Sequence, residues 1–439
     1  MRSKPIHPPL EAQSWATAPN WERLDDISDG VFDCPHTTPK LTGYGPFVVR
    51  SQDIRTGIFR HEDAARVSEE TYKERIARAE PRHGDLLYSR EGTYFGIAAE
   101  IPRGERACLG QRMVLIRPNR ERIDTRFLRY WLNSPVMARH LEGFRDGSVA
   151  ERLNLPTIRG LAVPVLPLPE QQAIAAVLGA LDDKIELNRR MSATLEEMAR
   201  ALFRSWFVDF DPVHAKARGE APAHMDAATA ALFPDSFGEH GLPDGWSMSV
   251  VGAEFDLTMG QSPPGNTYND DGVGLPFFQG RTDFGFRYPE NRKFCSAPTR
   301  IAEAKDTLVS VRAPVGDINQ AWERCCVGRG VAAIRHRTGQ RSYTFYAVQS
   351  LQEQLREFEH TGTVFGAINK SQFEALKVAA PTPEVISAYE GIGSSLDARL
   401  RTATAESRTL AALRDTLLPK LMSGELRVRD AERQIAEAV

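Results

Sequence analysis

Two sets of guanidinium, amide and hydroxyl side chains stand next to short β-branched runs in this sequence. The first is Arg50, Gln52, Arg90, Thr93, Gln111, Arg112 and Arg152; the second is Gln279, Arg281, Arg312, Arg329, Asn369 and Lys370. These are the side-chain types that read base edges in the DNA major groove. Arg pairs with the guanine edge and Asn or Gln with adenine, and each good two-point contact gives about 1–3 kcal/mol of discrimination. Half to two-thirds of protein–DNA hydrogen bonds go to the backbone, so any single residue in these sets could equally be a phosphate contact or ordinary surface. Ten of the 55 basic residues are Lys and 45 are Arg, which favours two-point recognition of phosphate or guanine. A codon bias toward Arg explains the same ratio.

Other chemistries leave no such trace. No GxxxxGK[ST] phosphate loop occurs, so no nucleotide-driven motor is expected. The Gly clusters "VGRGVAAIR" and "GVGLPFFQG" lack the lysine and the strand-to-helix context of a phosphate cradle and read as turns. "QSPPGN" at Gln261 has neither the Asn before the prolines nor the aromatic after them that an amino-methyltransferase loop needs. Asp182, Asp183, Glu196 and Glu197 lie among charged neighbours on a helical pattern and read as a solvated face. Cys34, Cys108, Cys295, Cys325 and Cys326 form no CxxC pair, so neither disulfides, a structural metal nor any cofactor is expected.

The 439 residues exceed what one core usually serves, so at least two domains are expected. No apolar run approaches the roughly 20 residues of a membrane span, and the N-terminus lacks an apolar leader, which argues for a cytoplasmic chain. The net charge of −3 gives no global sign of a nucleic-acid partner. Distribution matters more than the sum.

The elements that would carry the two sets come in two copies. Apolar residues recur at helical spacing through Ile174, Leu178, Leu181, Ile185, Leu195 and Leu202, with polar Asn188 and Ser192 midway. The spacing returns at Tyr389, Ile392, Leu396, Ala403, Leu410, Leu413 and Leu417, with Arg399 and Glu406 midway. Either Asn188 or Arg399 could fix a register or face water. "LPEQQAI" opens the first stretch and "TPEVISA" the second, and Asp182 precedes Asp397 by 215 residues. Upstream, "RHGDLLYSREG" matches "EAKDTLVSVRAP" and "CLGQRMVLIRP" matches "CVGRGVAAIRH", with Asp85 and Asp306 221 apart and Gly110 and Gly328 218 apart. This is an internal duplication.

Within each copy, "GPFVVR", "DLLYS", "RMVLIRP", "TLVSV" and "GVAAIR" read as strands, and "DTRFLRYWLNSPVMARHLEGF" and "YTFYAVQSLQEQLREFEH" as helices. The expected class is α+β: two α/β domains and a pair of long antiparallel helices as a coiled-coil spacer, with a pseudo-twofold repeat. The expected segments are 1–165, 166–210 (helix), 211–242 (connector with at most one short helix near Met225 to Phe233), 243–382, 383–424 (helix) and a tail, 425–439.

With these motifs in view, the sequence resembles the specificity subunits of type I restriction-modification systems over nearly its whole length, from "NWERL" to "LLPKLMSGEL". The resemblance is strongest in "LPLPEQQAIAAVLGALDDKIELNRR", "LEEMARALFRSWFVDFDPV" and "MDAATAALFPDSF", and extends to "DGVFDCPHTTP", "GDLLYSREGT", "GQSPPGNTYN" and "PFFQGRTDFG". The distal helix departs from it, since "TPEVISAYEGI" lacks the Gln pair. The resemblance implies two target recognition domains reading a bipartite, asymmetric sequence in double-stranded DNA. It further implies docking of two methyltransferase (modification) subunits and, through them, restriction (helicase-nuclease) subunits, with no catalysis in this chain. Three other readings compete: a self-contained methyltransferase or nuclease, a coiled-coil interaction scaffold, and the recognition subunit of a modification-only system.

Overall fold

The computed structural model describes residues 6–15, 20–55, 57–59, 64–92, 95–144, 152–359 and 366–438. No helix among them is long and apolar enough to cross a membrane. The chain forms two compact units, Met1–Asn188 with Ala405–Val439, and Arg189–Thr404.

In the first unit, "MVLIRP" becomes the central strand Met113–Pro118, five of whose six residues are buried. It pairs antiparallel with Ser28–Asp33 on one side and Leu86–Ser89 on the other, and Ala98–Glu100 completes a four-stranded sheet. Phe47–Val49 of the strand Thr42–Val49 runs parallel to Ala107–Leu109. Asn20–Arg23 pairs antiparallel with Ala162–Val165 and so joins the two ends of this domain. Helices Thr125–Leu132 and Pro135–Glu142 are separated by Asn133 and Ser134, where Ser134 caps the second and Pro135 fills its first turn. They bury Phe127, Leu128, Trp131 and Met137 against the sheet.

The second unit repeats this connectivity. Phe255–Met259, Val331–His336, Thr307–Ser310 and Ile318–Gln320 form the four-stranded antiparallel sheet in the same order. Phe277–Phe278 runs parallel to Cys326–Val327, and Ser247–Val250 closes on Lys377–Ala380. A turn aspartate recurs as well. Asp85 accepts from the Arg82 amide at 3.0 Å and from Arg117 at 2.7 Å; Asp306 accepts from the Glu303 amide at 2.8 Å and from Arg335 and Arg341.

The two periodic stretches are helices of 40 residues each, Leu168–Phe207 and Pro383–Met422, and half of each belongs to each unit. In the first unit Leu178 and Leu181 share a core with Leu410, Leu417 and Leu421. Asn188 bonds Glu406 and Asp182 bonds Arg414, so residue numbers rise on one helix as they fall on the other: the halves are antiparallel. In the second unit Ala199, Phe203 and Trp206 pack with Val385, Ile386 and Tyr389, and the Tyr389 hydroxyl donates to the Ala199 carbonyl at 3.0 Å.

The packing stripe departs from the expected one in phase. After Ser192 the buried line runs through Glu196, Ala199, Phe203 and Trp206, one residue beyond Leu195 and Leu202, which are only half-buried. Two successive steps of four, Asn188 to Ser192 to Glu196, make a stutter that corrects the drift between 3.5 and 3.6 residues per turn. On the distal helix Ile392 is 41% exposed, and the packed position is Gly393. A Cβ there would stand 3.0 Å from the Ser342 Cβ, so a small residue lets the domain approach the helix. Leu396 and Leu413 are half-buried, while Leu410 and Leu417 lie in the core as expected.

The connector carries more structure than expected. It holds helices Asp211–Ala217 and Ala227–Ala231, and it buries Val213 and Phe233, the latter edge-on to Trp206 at 5.1 Å. Beyond Gly424 the tail forms an amphipathic helix, Val428–Ala438, that seats Ala431 in the first unit's core.

Candidate nucleic-acid interface

Three backbone segments of the second unit are laced together at one end of its sheet. The Gly330 amide donates to the Gln279 carbonyl at 3.0 Å, the Val311 amide to the Gly330 carbonyl at 2.9 Å, and Gly328 to the Phe278 carbonyl at 2.9 Å. Gly330 is glycine for a steric reason: a Cβ would lie 2.4 Å from the Gln279 carbonyl oxygen. "VGRG" is thus the turn it looked like, and its tightness sets Arg329 beside Gln279 and Arg312.

Four of the six residues singled out in this half converge here. Gln279, Arg281, Arg312 and Arg329 line one open cleft of about 440 Å³, together with Ser262, Thr282, Gly280, Ala313 and Gly330. Arg281 is held by Asp317, whereas Gln279, Arg312 and Arg329 are exposed, and their side chains make no hydrogen bond or ion pair among the described residues. Asn369 and Lys370 stand apart from the cleft. The Asn369 oxygen caps helix Lys370–Glu374 by accepting from the Gln372 amide at 3.0 Å, and Lys370 lies 3.5 Å from Glu374. The Asn369 acceptor is thus committed to the helix, and the spacing of Asn369 and Gln372 is a capping box. Ser262 and Asp317 were not anticipated, and only the fold brings them to these arginines.

The corresponding end of the first unit has the same lacing. Gly110 donates to the Val49 carbonyl at 2.7 Å, Arg90 to the Arg112 carbonyl at 3.0 Å and Leu153 to the Arg90 carbonyl at 2.9 Å. Its charges, however, are largely committed. Arg50 chelates Asp53 with two bonds of 3.0 Å, and Arg112 lies 3.3 Å from Glu91. Arg90 is only 3% exposed and pairs with Asp33 at 3.1 Å, so its guanidinium is committed within the domain. Gln111 donates to the His36 carbonyl at 2.8 Å, Gln52 and Arg152 are exposed, and Thr93 lies outside the described residues.

Carboxylates of the long helices tie each domain to its helix pair, which overturns their reading as a solvated face for two of the four. Asp182 accepts from Tyr130 at 2.6 Å, Arg129 at 3.3 Å and Arg414 at 2.8 Å. In the second unit Arg287, 1% exposed by its side chain, is held by Asp397 at 2.7 Å and Glu196 at 3.0 Å. Its guanidinium lies 3.3 Å from the centre of the Phe345 ring. Burial pushes the Glu196 carboxyl above its usual range against the pull of Arg287. Burial also opposes the charge on Arg287, but Asp397, Tyr346 and Glu196 hold its pKa above the ordinary arginine value. Asp183 and Glu197 remain exposed. Asn188 is 1% exposed and donates to Glu406 at 2.7 Å, whereas Arg399 faces solvent, so the register-fixing polar contact falls to Asn188.

The five cysteines are buried and unpaired, and burial pushes the Cys108 thiol up to about 11. A protonated thiol is a poor nucleophile. Asp33, Cys34 and His36 bring potential ligand atoms within 4.8 Å of one another, but Asp33 already faces the Arg90 guanidinium, and burial raises the Cys34 thiol. A cation would have to displace an arginine there.

Comparison with known proteins agrees with this architecture. Residues 47–197 match the model of the type I restriction modification DNA specificity domain. A putative type I restriction enzyme MjaX specificity subunit of Methanocaldococcus jannaschii is 27% identical over 369 residues, 82% of this chain and 83% of its own. The type I restriction enzyme HindI specificity subunit of Haemophilus influenzae is 24% identical over 403 residues, 79% of this chain and 87% of its own. Among solved structures, the S subunit of a type I restriction-modification system from M. genitalium shares the fold, with a TM-score of 0.56 at 16% identity, over 92% of this chain and 96% of that one. Residues 47–197 thus carry a type I restriction modification DNA specificity domain, and the chain, with its duplicated α+β units and paired 40-residue helices, is similar over most of its length to type I restriction-modification specificity subunits.

Proposed function

We propose that this chain reads a bipartite, asymmetric sequence in double-stranded DNA for a type I restriction-modification complex in the cytoplasm, through recognition domains at residues 1–165 and 243–382. The observation that carries this reading is the repeated strand-end framework. The same backbone lacing presents Arg50, Glu91 and Gln111 in one unit and Gln279, Arg312 and Arg329 at the equivalent places in the other. One architecture with two different sets of side chains suits one molecule that reads two different half-sites. The helices serve as the spacer that leaves a gap unread: 40 residues at about 1.5 Å per residue make roughly 60 Å, against about 34–36 Å for a turn of B-DNA. The repeat also offers two similar docking faces, which suits two copies of a methyltransferase subunit, with restriction subunits joining through them. The chain itself supplies recognition and positioning, and its partners supply the chemistry.

Reconstitution tests this directly. The chain mixed with its methyltransferase subunits should methylate a single two-part sequence on genomic DNA, read by sequencing the modified bases. Methylation without sequence preference, or methylation by this chain alone, would sink the reading.

A further inference from the structure

The cleft of the second unit holds a charge imbalance that base reading does not explain. Arg281, Arg312 and Arg329 reach it from three separate segments, and Asp317 is the acidic side chain that answers them, through Arg281. A guanine edge offers neutral acceptors and engages one arginine. Three guanidinium groups around one space of about 440 Å³ repel one another unless an anion lies between them. The rest of the lining has the same character: the hydroxyls of Ser262 and Thr282, and Gly280, where no side chain covers the backbone. Arginine, hydroxyls and bare backbone are the groups that bind phosphate oxygens. The backbone bonds from Gly330 to Gln279 and from Val311 to Gly330 fix the three segments before any ligand arrives, so little ordering entropy is lost on binding.

We propose that this cleft is a cradle for a DNA backbone phosphodiester, with Arg312 and Arg329 as its uncommitted cations and Arg281, braced by Asp317, as the third. The inference rests on the DNA-recognition reading above and assigns this site a positioning role. It sets the register of the second domain on the duplex, while the bases are read elsewhere on that domain. At the equivalent places the first unit carries Glu91 where the second has Arg312 and Gln111 where it has Arg329, so these two cations have no counterparts there among the described residues.

The experiment uses the full chain assembled with its methyltransferase subunits and carrying Arg312→Ala, Arg329→Ala or both. Duplex binding is measured across a salt series, and the methylated sequence is read in parallel. Each single substitution should weaken binding to target and random duplexes by the same factor and flatten the slope of log affinity against log salt by about one; the pair should flatten it by about two. The methylated sequence should stay unchanged. Arg337→Ala, an exposed arginine of the same unit that does not line the cleft, should leave the slope as it is. A methylated sequence that loses one base of its second half-site while the slope holds would make these arginines base readers and overturn the cradle. An unchanged slope and sequence would overturn it too. A wild-type complex that methylates without sequence preference would instead defeat the function proposed above, with the cradle still judged by the slopes.

Discussion

Arg287 shows what a single buried charge does in this protein. Its guanidinium is almost wholly out of water and is answered by Asp397 and Glu196, one carboxylate from each long helix. Removing one partner of such a group leaves a buried charge under-compensated, at a cost of about 3–5 kcal/mol. Asp397→Ala should therefore destabilise the second unit by roughly that amount in denaturant unfolding. Asp182→Ala should cost less, about 1–3 kcal/mol for lost bonds to charged and hydroxyl groups, because Arg129 keeps Glu100 and Arg414 keeps Asp415. Equal losses at the two positions would count against this account. The offset of 215 residues marked these aspartates as equivalent, but the charged neighbours of Asp182 in sequence suggested solvent. Their true partners, Arg129, Arg287 and Arg414, lie 53, 110 and 232 residues away.

At the scale of elements, helix length and the packing stripe are separate variables. Length follows from an uninterrupted helical pattern and was legible in the sequence. The phase of the stripe depends on what packs against it, and so the shift at Ser192 and the glycine at 393 were not. Seven residues make two turns of a heptad, so inserting seven in each helix keeps the phase. The insertions belong between Asn188 and Ser192 on one helix and between Ala403 and Glu406 on the other. The chain should then methylate a sequence with both half-sites intact and the unread gap longer by about three base pairs, since seven residues rise about 10 Å. Insertion of only two residues rotates the stripe by more than half a turn and should abolish assembly, as judged by co-purification with the methyltransferase subunits. An altered half-site in the seven-residue variant would refute the spacer role.

For the whole molecule, the two units share connectivity down to the turn aspartates Asp85 and Asp306, yet differ in which side chains stand free at the strand ends. Recognition can then change one half at a time. Replacing residues 243–382 with another domain of the family should change one half-site of the methylated sequence and keep the other; a change in both would refute the independence of the two readings.

The sequence by itself determined the repeat, the two long helices and the principal strands, because each is written in local spacing or in similarity between stretches of one chain. It also supplied the residue types of the candidate interface. What only the tertiary structure decided was the state of each charge: Arg90 buried against Asp33, Arg50 held by Asp53, Asn369 committed to a helix cap, and Arg312 and Arg329 around one cleft with no side-chain partner among the described residues. An arginine's role depends on whether a carboxylate from elsewhere in the chain comes within a few ångströms of it. Spacing along the sequence carries no record of that approach.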